Sequence, residues 1–427
     1  MMIGLVNSLI LAAALVPMPR EIEMLSGVCR ADAPVEIRRD ASIPAEGYRL
    51  SISPGAIKIA SSDAAGEFYA RVTLEQLGGK DIPCCEITDA PRYRWRGCLI
   101  DEGRHFFGKA SVKKMIDAMA ANKLNVLHWH LTEDQGWRID FKRWPELAKR
   151  GAVRRDAQGR IYGPHFYTEE DIAEIVEYAK ARHVKIVPEL EIPGHSRAAL
   201  AAFPEFSCLG DRLERRADST WGVKRELYCA GNDAAIKFLE ELLDEFCRLF
   251  KYSDTIHIGG DECPKSRWRR CAKCQARIKS LGLKDESALQ SWMMRHFSEY
   301  LAKKGRRAVV WEEATDGGLA GNAAVMSWLG KDRAIAAAKS GADCIVCPRT
   351  HTYFDQRQEL PFDPWRADGK GLPLSKVYAF DPSEGFPAEC ASRILGSEGL
   401  LWTEHIEEPE ELEWMAFPRL CALAEAL

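Results

Sequence analysis

At 427 residues, 46% of them apolar and 29% charged, the chain has the composition of a globular protein with room for a large core and two domains. Its 59 basic and 63 acidic residues leave a net charge of −4, with no basic stripe to suit nucleic acid and no polybasic block to suit a membrane surface. The 12 tryptophans and 11 tyrosines supply aromatic faces that fill cores and also stack on sugar rings.

Residues 1–16 form an apolar run, Ile3-Gly4-Leu5-Val6 and then Leu9-Ile10-Leu11-Ala12-Ala13-Ala14. The run is too short for a transmembrane helix. It has the character of a signal-peptide core, although no positive residue precedes it, and it points to a periplasmic or secreted protein. No other stretch is apolar enough for a membrane span. Residues 17–91 read as a small N-terminal α/β domain: alternating segments at 48–52 and 56–60, a helix over 66–77 closed by Gly78-Gly79, and a boundary at Ile87-Thr88-Asp89-Ala90-Pro91-Arg92.

From Arg94 the pattern becomes strand, helix, strand, helix. Strands are expected at 96–99, 126–130, 185–190, 255–258, 308–311, 325–328, 344–347 and 399–402. Helices are expected at 109–122, 168–182, 233–250, 287–304, 332–339 and from about 410. The second helix carries an apolar stripe of Ala173, Ile175, Val176 and Ala179, and Thr168-Glu169-Glu170-Asp171 is a helix-start signature. Eight such units over 92–427 fit a (β/α)8 TIM barrel with its active site at the C-terminal strand ends. A doubly wound open sheet is the alternative, but no G-x-G-x-x-G fingerprint or P-loop is present.

Each apolar run ends in polar or aromatic residues. In order these are Asp101, Glu102 and Arg104; His130, Glu133, Asp134 and Arg138; Glu189, Glu191 and His195; Asp261 and Glu262; Trp311-Glu312-Glu313; Trp328; Tyr353 and Asp355; Trp402 and Glu404. A barrel gathers them at one mouth. The fourth run, His257-Ile258-Gly259-Gly260-Asp261-Glu262, pairs two glycines with two adjacent carboxylates that a packing argument alone does not require. No serine or cysteine sits in a nucleophile elbow. Carboxylates, aromatics and an arginine suit a polyhydroxylated ring and acid/base cleavage of a glycosidic bond.

These segments resemble family 20 glycoside hydrolases, the β-N-acetylhexosaminidases. The resemblance is carried by Arg96-Gly97 through Asp101 and Arg104, His128-Trp129-His130-Leu131-Thr132-Glu133-Asp134-Gln135-Gly136-Trp137-Arg138, Pro188-Glu189-Leu190-Glu191-Ile192-Pro193-Gly194-His195, and 257–262. It implies Glu262 as general acid and base, and Asp261 orienting a 2-acetamido group that is itself the nucleophile, with net retention. It further implies Tyr353 bonding the acetamido oxygen with Asp355 beside it, and Arg104 and Glu404 holding sugar hydroxyls. Trp311, Trp328 and Trp402 would wall the ring, and Asp134 with His195 would form a relay to Glu262. The substrate would be a terminal β-linked GlcNAc or GalNAc on a glycan, and no cofactor is needed for catalysis. Glu262 must then hold a proton near neutrality while Asp261 stays ionised. Glu191 stands where many relatives carry Asp, and the resemblance implies a last barrel helix running past Leu427.

The 14 cysteines are not spaced as a small disulfide scaffold. Cys98, Cys247 and Cys421 sit in apolar runs and read as free buried thiols, as do Cys344 and Cys347 within a strand. Cys263, Cys271 and Cys274 follow the Asp261-Glu262 pair directly, and the barrel order brings Cys229 alongside. These four are candidate ligands of a structural zinc ion, their charge tempered by Arg267, Arg269, Arg270 and Lys273. Disulfides in an exported chain, or free thiols, are the competing readings.

Overall fold

The structure is a computed structural model and describes residues 15–156, 158–318, 320–358 and 371–427. The signal-like segment lies, up to residue 14, outside them.

The first sheet has strands β1 (Glu21–Arg30), β2 (Val35–Arg39), β3 (Tyr48–Ser53), β4 (Ala56–Ser61) and β5 (Asp81–Asp89), in the order β1-β5-β3-β4-β2. Helix α1 (Ala64–Leu77) covers one face, and the Asp63 carboxylate caps it by accepting from the Gly66 amide at 2.8 Å. Leu50, Ile52, Ile57, Ile59, Tyr69 and Ile87 form the core between helix and sheet. Burial alternates along β3, which is the alternation visible in the sequence. The edge strand β2 is exposed throughout, and β1 is mostly exposed, with Ile22, Met24 and Cys29 turned to the core. Ile87-Thr88-Asp89, which read as a boundary, is the end of β5.

The rest is a closed barrel. In chain order its main elements are β6 (Trp95–Asp101), α2 (Gly108–Ala121), β7 (Val126–His130), α3 (Glu169–Lys180), β8 (Lys185–Glu189), α4 (Asp233–Leu249), β9 (Thr255–His257), α5 (Ala272–Ser280), α6 (Glu286–Lys303), β10 (Arg307–Trp311), β11 (Ala324–Ser327), α7 (Lys331–Lys339), β12 (Cys344–Val346), β13 (Ile394–Leu401), α8 (Pro409–Ala416) and α9 (Arg419–Ala426). Strands β6 to β13 pair in sequence order, all parallel, and β13 closes on β6. This is the (β/α)8 barrel, and the open-sheet alternative is excluded. Thr168 and Asp171 close a reciprocal capping box on α3, whose Ile172, Ile175, Val176 and Ala179 are buried.

Leu99, Val126, Val187, Val309, Met326 and Leu400 fill part of the barrel interior. The two units are joined by ion pairs of low exposure, Arg96–Glu46 at 2.7 Å and Lys123–Asp89 at 2.8 Å. The amides of Arg92 and Tyr93 both donate to the Leu427 carbonyl, which ties the start of the barrel to its last helix. Among the described residues no helix is long and apolar enough to cross a membrane.

Candidate active site

Strand β9 ends at His257, and the chain then turns sharply. Gly259, Gly260 and Glu262 have φ of 65°, 107° and 41°. On a straight strand Asp261 and Glu262 would point apart; after this turn both line one pocket. A Cβ on Gly259 would lie 2.1 Å from Glu191 Oε2, and one on Gly260 2.7 Å from Ala314 Cβ. The glycines therefore make room for a buried carboxyl from the β8 loop and for the short helix after β10. The Gln290 amide of α6 donates to the Gly260 carbonyl at 2.6 Å, and Glu313 accepts from the Glu262 amide at 3.3 Å. Glu262 is a non-glycine residue in the left-handed region, a strained conformation that its surroundings must hold.

The pocket has a volume of about 270 Å3 and sits at the C-terminal ends of the barrel strands. Asp261, Glu262, Arg104, Trp328, Tyr353, Asp355, Trp402 and Glu404 all line it. Trp328 and Tyr353 have ring centroids 6.1 Å apart, and Tyr353 and Trp402 6.4 Å. Burial holds the Tyr353 phenol well above its ordinary pKa, so it remains a donor. Burial, reinforced by Glu404, pushes Asp355 up to about 8. The Arg104 guanidinium meets Asp101 at 3.0 Å, Glu133 at 3.0 Å and Glu404 at 3.5 Å, and lies over the Trp402 ring. Trp311 is not part of the wall. It is 1% exposed, packs behind Trp402 at 6.0 Å and donates to Glu189 at 2.9 Å. As the last residue of β10 it points into the barrel, whereas the wall is built by residues beyond the strand ends.

His195, at φ 45°, stands between two carboxylate pairs. Its Nδ1 is 2.8 Å from Glu133 and 3.6 Å from Asp134, and its Nε2 is 3.6 Å from Asp261 and 3.5 Å from Glu262. Glu133 is thus the nearer partner of Nδ1 and Asp134 the second; the other Asp134 oxygen accepts from the Arg197 amide at 2.9 Å. Burial opposes charge on His195, but Glu133 and Asp261 outweigh it and raise its pKa well above the ordinary value. The resulting imidazolium holds Glu262 below the usual carboxyl range against partial burial. Burial pushes Asp261 up to about 8, with His195 opposing and Glu313, Glu189 and Glu262 adding. This order is the reverse of the one expected from the sequence.

Glu191 is buried, and its Oε2 has no hydrogen-bond partner among the described residues. Burial, with Asp261 and Glu189 beside it, raises its pKa well above the ordinary value. Deeper in the barrel, Glu189 meets His257 at 2.6 Å, His128 at 3.1 Å and also His130, while Glu398 meets His128 at 2.7 Å. His128 and His130 face the same interior, as strand alternation requires. Glu133, Glu191 and Glu313 were visible as strand-end residues, but sequence order alone gave them no partner. Trp221, on an irregular segment, and Arg349, which opens a one-turn helix at Arg349–Thr352, also line the pocket, and neither carries a periodic signal.

The cysteine cluster differs from the expected set in one member. The sulfurs of Cys208, Cys229, Cys271 and Cys274 all lie within 4.8 Å of one another, and Cys263 is not among them. The Glu262 turn keeps Cys263 beside Asp261 and Lys265, and Cys208 arrives instead from the β8–α4 loop. Cys344 and Cys347 are buried in and just after β12, as expected, and Cys98 is likewise buried; Cys247 and Cys421 are half-buried.

A parallel barrel whose mouth is ringed by carboxylates and tryptophans offers acid/base groups and aromatic faces to a sugar ring. Residues 93–427 match the glycosyl hydrolase family 20 catalytic domain, and residues 30–90 match domain 2 of that family. The chain belongs to glycosyl hydrolase family 20. It is 40% identical to a β-hexosaminidase of Porphyromonas gingivalis over 402 residues, covering 90% of this chain but only 51% of that one, about half its length. It is 32% identical to a β-hexosaminidase of Akkermansia muciniphila, covering 97% of this chain and 85% of that one. A solved β-N-acetylhexosaminidase from Bacteroides fragilis superposes with a TM-score of 0.85 at 33% identity, covering 97% of this chain and 90% of the other. The exo β-N-acetylglucosaminidase of Vibrio harveyi in complex with N-acetylglucosamine gives 0.86 at 30% identity, covering 97% and 73%.

Proposed function

We propose that the protein is an exo-acting β-N-acetylhexosaminidase that removes terminal β-linked GlcNAc or GalNAc from glycans with retention, the substrate's 2-acetamido group serving as nucleophile. The observation that carries this reading is the turn at 259–262, which brings two neighbouring carboxyls to one pocket faced by the Tyr353 phenol.

Glu262 protonates the departing oxygen and later takes a proton from water. Asp261 accepts from the acetamido N–H, and Tyr353 donates to the acetamido oxygen, so that oxygen is aimed at the anomeric carbon. The sugar itself sets the protonation states. Glu262, with 35% of its side chain exposed, loses its remaining water when a ring covers it, which raises its pKa. An N–H donated to Asp261 stabilises the carboxylate and lowers its pKa. Trp402, stacked against Arg104, offers the ring an apolar face, and Arg104 with Glu404 addresses its hydroxyls.

Aryl β-GlcNAc and aryl β-GalNAc are the first substrates to assay. Asp261→Asn should lower kcat on both by about 10²-fold or more, because a neutral amide cannot balance the positive charge that develops on the acetamido nitrogen. Wild-type turnover in that variant would overturn the reading. A panel of mucin, chitin and N-glycan oligosaccharides then defines the natural glycan.

A further inference from the structure

The geometry points to a structural zinc site formed by the thiolates of Cys208, Cys229, Cys271 and Cys274, which clamps the β8–α4 loop to the β9–α5 loop and thereby holds His195 and Glu262 in place. Its sulfurs are separated by 3.8 Å for Cys208–Cys274, 3.6 Å for Cys229–Cys271 and 3.6 Å for Cys229–Cys274. A disulfide requires about 2.05 Å. Four sulfurs at about 2.3 Å from one zinc ion stand about 3.8 Å apart along the edges of a tetrahedron. Three of the six edges match that value and all four sulfurs lie within 4.8 Å of one another, which suits a closed tetrathiolate site.

The surroundings suit such an ion. Cys229 and Cys274 are buried, and Cys208 and Cys271 half-buried. The two backbones meet with no room to spare: a Cβ on Gly231 would lie 2.2 Å from the Lys273 carbonyl carbon and 2.3 Å from the Cys274 nitrogen. Cys271 and Cys274 sit at the start of α5, where the helix dipole favours negative charge.

The loops joined here are those of the active site. Residues 208–229 include Trp221, which lines the pocket. Tyr228 donates from its amide to the Pro193 carbonyl at 3.0 Å, two residues before His195, and its own carbonyl accepts from Trp268 Nε1 at 3.0 Å. Arg267 pairs with Glu226 at 2.7 Å. His195 and Glu262 both hold left-handed backbones, which persist only where the surroundings over-determine them. A metal crosslink at the base of both loops supplies that constraint without touching the reacting atoms.

The test is metal analysis of the full-length chain, purified reduced and reconstituted with Zn2+ alone. About one zinc per chain is expected. Cys208→Ser and Cys271→Ser should each lose it, and Cys263→Ser should keep it. Cobalt in place of zinc should show thiolate charge-transfer and tetrahedral ligand-field absorption. Withdrawing zinc with a chelator should lower the Tm and lower kcat/KM on an aryl β-GlcNAc by about 10- to 100-fold, with recovery on adding Zn2+ back. Metal content is read without activity, so it stands apart from the glycosidase reading. A reduced chain that takes up no zinc, disulfides among the four cysteines, or zinc retained by Cys208→Ser would overturn the site. Zinc withdrawal that leaves both Tm and kcat/KM unchanged would overturn the clamp.

Discussion

Glu262 is governed by His195. The imidazolium 3.5 Å away keeps the carboxyl on the acidic side of its usual range, and Glu133 keeps the imidazolium charged. Replacing His195 with Gln removes a cation shared by Asp261 and Glu262, so both pKa values should rise. The pH profile of kcat/KM, which reports groups in the free enzyme, should then move to higher pH on both limbs. A profile that stays put or moves to lower pH would contradict this placement of charge. Glu262→Gln removes the acid but keeps the shape of the pocket. It should lower kcat by about 10²–10⁴-fold while leaving the Kd for a thiazoline analogue of the intermediate little changed. At this scale the sequence showed the carboxylates but not their pairing. Glu133 and Asp134 are adjacent in the chain, and only the orientation of His195 makes one a hydrogen-bond partner and leaves the other at 3.6 Å.

The turn after β9 is the element on which the site depends. Gly259 is needed twice, for its φ of 65° and for the Glu191 carboxyl that a Cβ would strike. Gly259→Ala should cost about 1–3 kcal/mol in unfolding free energy from backbone strain, and more from the clash. Adding Glu191→Asp shortens the obstructing side chain and should recover part of the loss, leaving the backbone component. A double variant no more stable than Gly259→Ala alone, measured by denaturant unfolding, would contradict the contact. Barrel strands were legible because buried apolar runs end abruptly in polar residues. Val126–His130 was placed residue for residue, and the other barrel strands overlap their expected positions. The contribution of Cys208 was not legible, because it lies in an irregular loop far from the C-x2-C turn and only the folded chain brings them together. The same limit applies to Trp311, whose order among the tryptophans was plain but whose depth depends on barrel closure.

Across the whole molecule, buried charge decides how stability depends on pH. Burial opposes charging of His128, but Glu398 and Glu189 raise its pKa to about 9; for His130, Glu189 and Glu133 raise it to about 10, also against burial. The unfolded value is about 6.5. Their stabilisation is therefore complete below about pH 6.5 and lost as pH rises through 9 and 10. The Tm should fall over that window, and His130→Gln should make the fall shallower. The join between the small sheet and the barrel rests on a second buried pair, Lys123–Asp89, with side chains 7% and 13% exposed. Lys123→Met leaves Asp89 without its cation and should cost about 3–5 kcal/mol, read by denaturant unfolding. The two-unit organisation was legible as a change of pattern near residue 92. The exposed strand β2 was not, because a strand wet on both faces has no buried alternation to display; β1 packs only Ile22, Met24 and Cys29 on the core, too sparse a pattern to mark a ten-residue strand.

The most direct test of the account is the dependence of hydrolysis on the substrate's own acetamido group. Aryl β-GlcNAc should be compared with its N-trifluoroacetyl counterpart, which has the same ring and leaving group but a much weaker acetamido nucleophile. If Asp261 and Tyr353 aim that group at the anomeric carbon, kcat/KM should fall steeply with the fluorinated substrate. Equal rates for the two would mean that the nucleophile is a group of the protein or a water molecule, and would contradict the mechanism.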